Sequence, residues 1–112
     1  MAARHDNWGT PLWLFARLER VFGPFDLDAA AEPWSALVTH FLTAEDDALS
    51  GGPWLGDRVW LNPPYARSLL EAFLRRAIEH AGEPEGLVVC LLPVYTETGW
   101  WHDLVLPHAT EV

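Results

Sequence analysis

The chain has 112 residues, half of them hydrophobic and seven of them tryptophan, which suffices for one domain with a real core and excludes a disordered segment. No apolar run reaches membrane-spanning length and Met1-Ala2-Ala3-Arg4-His5-Asp6 lacks the apolar stretch of a signal peptide, so a cytoplasmic protein is expected. A formal net charge of −9 runs against gripping a polyanion through a generally basic surface, and a single cysteine, Cys90, leaves neither a disulfide nor a thiolate zinc cluster available.

Thr10-Pro11 opens the first predicted helix, with Thr10 as N-cap and Pro11 at the first helical position. Leu14, Phe15, Leu18, Val21 and Phe22 fall along one face of it, and Gly23-Pro24 is its stop. Phe25-Asp26-Leu27-Asp28 predicts a short strand ending in an acid, after which Ala29-Ala30-Ala31 lets the backbone turn closely. From Glu32 to Gly56 the pattern is irregular: Thr43-Ala44-Glu45-Asp46-Asp47 offers a cap or turn, and Ser50-Gly51-Gly52-Pro53 a loop. Val59-Trp60-Leu61 is the second predicted strand, closed by Asn62-Pro63-Pro64-Tyr65. Ser68 and Glu71 stand at capping-box spacing before a helix whose apolar stripe is Leu69, Leu70, Phe73, Leu74, Ala77 and Ile78, with Gly82 at its end. Leu87 to Leu92 is continuously apolar, as expected of a central parallel strand covered on both faces, and stops at Pro93. A short helix over Gly99 to Leu104 and the beginning of a strand at Ala109 to Val112 complete the chain.

Helices and strands in this order predict a single domain, 1–112, of the α/β class: an open, mostly parallel sheet with right-handed crossovers, whose ligands bind at the carboxyl ends of the strands. Asp28, Asn62 and Pro93 all fall at such ends. Of these, Asn62 belongs to the most informative segment. Two consecutive prolines fix φ and remove two backbone donors, so the Asn62-Pro63-Pro64-Tyr65 turn is stiff and its carbonyls are free to accept. Asn62 adds an amide and Tyr65 a flat ring, which together suit an exocyclic amine and the base that carries it, the requirement for methylating an amino nitrogen. The plainer alternative is a rigid surface turn with a packed tyrosine. Asp28 either caps the turn that follows it or holds amino or hydroxyl groups of a nucleotide-like ligand.

Asp6-Asn7-Trp8-Gly9-Thr10-Pro11, Phe25-Asp26-Leu27-Asp28-Ala29-Ala30-Ala31, Asp46-Asp47-Ala48-Leu49, Trp60-Leu61-Asn62-Pro63-Pro64-Tyr65 and Leu91-Leu92-Pro93 resemble, in order and spacing, the phage DNA N-6-adenine-methyltransferase family. The resemblance runs from about Asp6 to the last residue and implies a Rossmann-like fold, S-adenosylmethionine as cofactor, and transfer of its methyl group to N6 of adenine in DNA. Asn62, Pro63, Pro64 and Tyr65 are the implied catalytic set: the Asn62 side-chain oxygen and the Pro63 carbonyl accept the two N6 hydrogens, and Tyr65 stacks on an adenine flipped out of the duplex. Trp8, Thr10, Pro11, Asp28, Ala29, Asp46 and Asp47 are the implied cofactor residues. Thr10-Pro11 resembles the segment that approaches the methionine moiety, Trp8 is a candidate wall of the same pocket, and Asp46 or Asp47 a candidate acceptor from the cofactor's adenine amine. Two departures are expected to matter. Three alanines stand after Asp28 where amino-methyltransferases generally carry glycines, and relatives continue with a further strand and a Gly-Arg-containing segment, so the chain reads as truncated at its C-terminus. An unpaired sheet edge left there is expected to invite self-association.

Two rival readings stay open from the sequence. Asn-Pro-Pro-Tyr turns also serve methylation of cytosine N4 and of glutamine side chains, and an acidic, shortened chain can equally be an inactive binding module. No metal is expected from the spacing of the five histidines, and Trp100-Trp101 reads as core or interface packing rather than as a stacking pair.

Overall fold

The computed structural model describes residues 10–43, 48–49, 54–92 and 99–110. Trp8, Asp46, Asp47, Pro93 and the last two residues of the expected C-terminal strand lie outside these segments. Three strands, β1 (Leu27–Asp28), β2 (Arg58–Leu61) and β3 (Leu87–Cys90), form a parallel sheet in the order β1-β2-β3. Leu27 stands opposite Val59, and Leu61 opposite Cys90. A single parallel bridge between Asp28 and Phe41 extends the sheet past β1, within the stretch that the sequence pattern leaves unassigned.

Among the described strands the central one is therefore β2, not β3 as its longer apolar run suggests. Val59, Trp60 and Leu61 are each exposed by 1% or less, because β2 is covered on both faces, while β3 lies at the edge of the described sheet and is half-buried along its length. Alternation along β2 divides the core. Val59 and Leu61 pack with Leu27, Ala29, Trp54, Phe73 and Ala77 on the face of the second helix, α2 (Arg67–Ala81). Trp60 points the opposite way, to Phe15 of α1 (Leu12–Phe22) and to Phe25. The three rings meet at centroid distances of 5.2 to 5.7 Å, with Phe15 edge-on to Trp60, a geometry worth about 0.5–1.5 kcal/mol per pair beyond burial. One helix on each face of a parallel sheet is the α/β arrangement expected from the element order.

Several local expectations change. Pro11, not Thr10, takes the cap position of α1; its carbonyl accepts from the Leu14 and Phe15 amides, and no side chain caps the helix. Val21 projects to solvent at 68% exposure, so it is not on the buried face. The Ser68–Glu71 capping box does not form, since α2 already starts at Arg67, with Ala66 at its cap. Leu69 is exposed, whereas Leu70, Phe73, Leu74 and Ala77 are buried as the stripe predicts. The final helical segment is longer than expected. A π-helical stretch, Trp101–Val105, runs into one α-turn, α3 (Leu106–His108), and Trp100, Leu104 and Val105 pack on Leu70 and Leu74. Trp100 is thus core, as its plainer reading has it.

The amino ends of the strands are tied separately. Asp26 Oδ2 accepts the backbone amides of Asp57 and Arg58, and the Arg58 guanidinium donates to the carbonyls of Phe22 and Gly23 at the end of α1. Gly56 allows this approach. Its φ is +91°, and a Cβ there would stand 2.5 Å from the Asp26 Cβ. Among the described residues no helix is long and apolar enough to cross a membrane.

Candidate active site

The carboxyl ends of the strands carry the polar residues singled out by sequence. The β2–β3 ladder closes with the Leu91 amide donating to the Leu61 carbonyl at 2.9 Å, and it cannot continue because Pro63 has no amide hydrogen. The Pro63 ring is fully buried and anchors the turn, while Asn62, Pro64 and Tyr65 are half-buried at its rim. α2 starts two residues later. Strand end, proline anchor and helix start therefore fix Asn62 and Tyr65 in place from both sides.

Asn62 is also fixed from across the chain. Its Nδ2 donates to the Thr10 hydroxyl at 3.0 Å, a contact between residues 52 apart that brings the beginning of α1 against the turn. With the amide nitrogen on Thr10, Oδ1 is directed to the other side, where the Tyr65 hydroxyl lies 3.5 Å away. That hydroxyl is equally 3.5 Å from the Leu91 carbonyl, and with one proton it serves one acceptor at a time. Burial raises the Tyr65 pKa, so the side chain stays a neutral phenol near neutral pH.

Asp28 ends β1 and is 2% exposed. Its carboxylate accepts the Leu37 amide at 3.1 Å and, more weakly, the Ala30 amide at 3.4 Å. Burial outweighs these two amides and pushes its pKa up to about 6. Backbone bonds from Asp28 to His40 and Leu42, and from Ala31 to Leu42, return the loop to the outer edge of β1. Within the loop, the Glu32 amide donates to the Ser35 hydroxyl, and the hydroxyl returns a bond to the Glu32 carbonyl. Asp28 thus organises the segment that follows it, the capping alternative, and its described hydrogen bonds stay within residues 28–42. Ala29 is fully buried against β2, its amide donating to the Trp60 carbonyl at 3.0 Å.

Thr10, Asn62, Tyr65 and the Leu91 backbone form one constellation, and Asp28 stands one strand away on the same edge. The model of the DNA N-6-adenine-methyltransferase (Dam) family matches residues 1–112. The chain belongs to that family. A DNA N-6-adenine-methyltransferase of Haemophilus phage HP1 is 37% identical over 108 residues, covering 96% of this chain and 60% of the relative. One of Escherichia phage T1 is 36% identical over 101 residues, covering 90% of this chain and 41% of the relative. The chain accordingly spans about three fifths and two fifths of the lengths of these two proteins. No solved structure matches it.

Within the Dam family frame, the residues that the sequence reading missed are structural. Arg58 closes the end of α1, and Phe41 pairs with β1. Neither has a local signal, because each acts on a partner distant in sequence. Cys90, packed between the cores on the two sides of α2, has its thiol pushed up to about 12 by burial, consistent with an inert apolar role. Among the described residues no three His, Cys, Asp or Glu side chains are grouped to hold a metal ion.

Proposed function

We propose that this chain transfers the methyl group of S-adenosylmethionine to N6 of adenine in DNA, on a Rossmann-like sheet with the target base flipped out of the duplex. The observation that carries the reading is the Asn62-Pro63-Pro64-Tyr65 turn at the carboxyl end of the central strand, with the Asn62 amide oriented by Thr10.

Adenine N6 is a poor nucleophile because its lone pair is delocalised into the ring. Asn62 Oδ1 and the Pro63 carbonyl accept its two hydrogens, which draws the nitrogen towards tetrahedral geometry and localises the lone pair. Thr10 holds the amide so that oxygen rather than nitrogen meets the amine. As N6 takes up Oδ1, the Tyr65 hydroxyl turns to the Leu91 carbonyl, its second acceptor at the same distance. The Tyr65 ring replaces part of the stacking lost on flipping, worth about 1–3 kcal/mol. No strong base is required, in keeping with the neutral phenol: as the N–C bond forms the methyl–sulfur bond breaks, the sulfur leaves as a neutral thioether, and the methylated nitrogen, now cationic and strongly acidic, loses one proton to water.

The donor set at this edge fits the cofactor. Asp28, with a pKa of about 6, is anionic at neutral pH beside the turn that would hold a cationic ligand. Ala29 and Ala31 are buried with their amides on the Trp60 and Leu42 carbonyls, so they let the backbone turn closely after β1 rather than offer it to the ligand. Thr10 and Pro11 border the same edge from α1. When bound, S-adenosylmethionine supplies an electrophilic methyl group on a positively charged sulfur.

The test is the acceptor. Incubation with labelled S-adenosylmethionine and, separately, DNA whose only amino base is adenine, DNA whose only amino base is cytosine, and a glutamine-containing protein should label the first alone. Label in cytosine or protein, with adenine blank, would replace N6 of adenine by another planar amine.

A further inference from the structure

The chain contains seven arginines and no lysine against sixteen acids, so where its cations stand is informative. Arg58 is spent on the carbonyls at the end of α1, and Arg76 pairs with Glu79. Arg17 and Arg20 are different. Both are exposed on α1, and among the described residues neither makes an ion pair or a side-chain hydrogen bond. Arg20, in the last turn, also complements the helix end, whereas Arg17, nearly a turn earlier, is not explained that way.

At 100° per residue, the exposed positions of α1 are Leu12, Trp13, Ala16, Arg17, Arg20 and Val21, and they fill one arc of about 180°. Trp13 and Arg20 lie at its centre and Arg17 beside them, with Leu12 and Val21 at the margins. The arc contains no acid. Glu19, the single acid of the helix, lies just outside the arc beside Leu12, where it is half-buried and accepts the Phe25 amide at 3.4 Å. Trp13 is 68% exposed, an uncovered indole between two uncommitted guanidinium groups. It stands one turn, about 5 Å along the axis, beyond Thr10, whose hydroxyl touches Asn62.

We infer that the Trp13–Arg17–Arg20 face of α1 is the surface that receives the DNA strand next to the target base, with the guanidinium groups on phosphates and the indole against a base or sugar. This rests on the reading of the Asn62 turn as the methyl-transfer site. It also answers the charge of −9: the polyanion is met by one acid-free helix face beside the site rather than by the surface as a whole. A second copy of so acidic a chain, or an anionic membrane, offers the face no comparable match of regularly spaced phosphates with stackable rings.

The experiment measures binding of the intact chain to an adenine-containing oligonucleotide between 50 and 200 mM salt. The variants are Arg17→Gln/Arg20→Gln, Trp13→Ala, and Arg75→Gln as a control that removes one arginine from the exposed face of α2. If both arginines hold phosphates, the double variant lowers the slope of log K against log salt by about 2, so that its deficit relative to wild type shrinks about tenfold across that range. Trp13→Ala should weaken binding about tenfold with the slope unchanged. Arg75→Gln should leave both alone. Thermal melts identical to wild type, expected for exposed positions, establish that the variants are folded. Slopes of the double variant equal to those of the Arg75→Gln chain overturn the surface while leaving adenine methylation standing. A wild-type dimer in sedimentation that Trp13→Ala dissolves also overturns it, in favour of a second copy. Failure of wild type to bind DNA at any salt overturns both proposals together.

Discussion

Asp28→Asn is the perturbation whose consequence can be worked furthest. The carboxyl group is 2% exposed and its pKa rises from 3.8 to about 6, because desolvation exceeds the help of the Leu37 and Ala30 amides. A folded-state pKa above the unfolded value means that the folded chain holds the proton more tightly. Stability from this group is therefore fully present below about pH 4, falls as pH rises towards 6, and stays lost above it. The displacement corresponds to a penalty of about 3 kcal/mol on the ionised form. Asparagine removes the penalty, yet it has one acceptor oxygen for two backbone donors, and leaving the Ala30 or Leu37 amide without its partner costs about 1–2 kcal/mol. The net expectation is a gain of about 1–2 kcal/mol at pH 7.5 and a loss at pH 4. Urea denaturation of both chains from pH 4 to 8 measures this, and the difference between them isolates Asp28 from the other carboxylates. S-adenosylmethionine affinity measured alongside separates a loop-organising acid, for which it is retained, from a direct ligand, for which it drops more than tenfold. If wild type gains stability relative to Asp28→Asn as pH rises from 4 to 6, the sign is reversed and the burial argument fails.

Thr10→Val removes the acceptor of Asn62 Nδ2 and should lower the methyl-transfer rate constant by about ten- to a hundredfold at nearly unchanged cofactor affinity, with Thr10→Ser restoring it; equal loss in both variants would point to packing instead. Tyr65→Phe should be mild and Tyr65→Ala severe in kcat/KM, since the ring stacks while the hydroxyl makes only contacts of 3.5 Å; indistinguishable losses would remove stacking from the account. Gly56→Ala should destabilise the fold by about 1–3 kcal/mol in urea titration, because φ is +91° and the added methyl meets the Asp26 side chain; an unchanged midpoint would show that the two strand starts can move apart.

What could be read from sequence was local in cause. The Asn62-Pro63-Pro64-Tyr65 turn was legible because proline ends a ladder by lacking a hydrogen, wherever the strand lies. Glycine at 82 likewise ends α2. What could not be read depended on partners far along the chain. Thr10-Pro11 satisfies the pattern of a helix cap, yet the hydroxyl is directed to Asn62, 52 residues away. Leu87 to Leu92 is the longer apolar run, but Val59, Trp60 and Leu61 are the deeper residues, because centrality depends on which strands flank which. Val21 fits the helical period only loosely, and the core formed by Phe15, Phe25 and Trp60 does not reach it. Phe41 joins β1 through a single bridge, too short to leave a periodic signal.

The central claim is that the Asn62 amide activates the N6 amine of adenine, and nucleoside mass spectrometry tests it most directly. DNA is incubated with S-adenosylmethionine and either the wild-type or the Asn62→Ala chain, and cofactor affinity is followed by calorimetry on the same preparations. The account requires N6-methyladenosine from wild type and at least a hundredfold less from Asn62→Ala, with cofactor affinity and fold retained. Product from Asn62→Ala at the wild-type rate, or a wild-type chain that binds cofactor and DNA and leaves adenine unmodified, would contradict it.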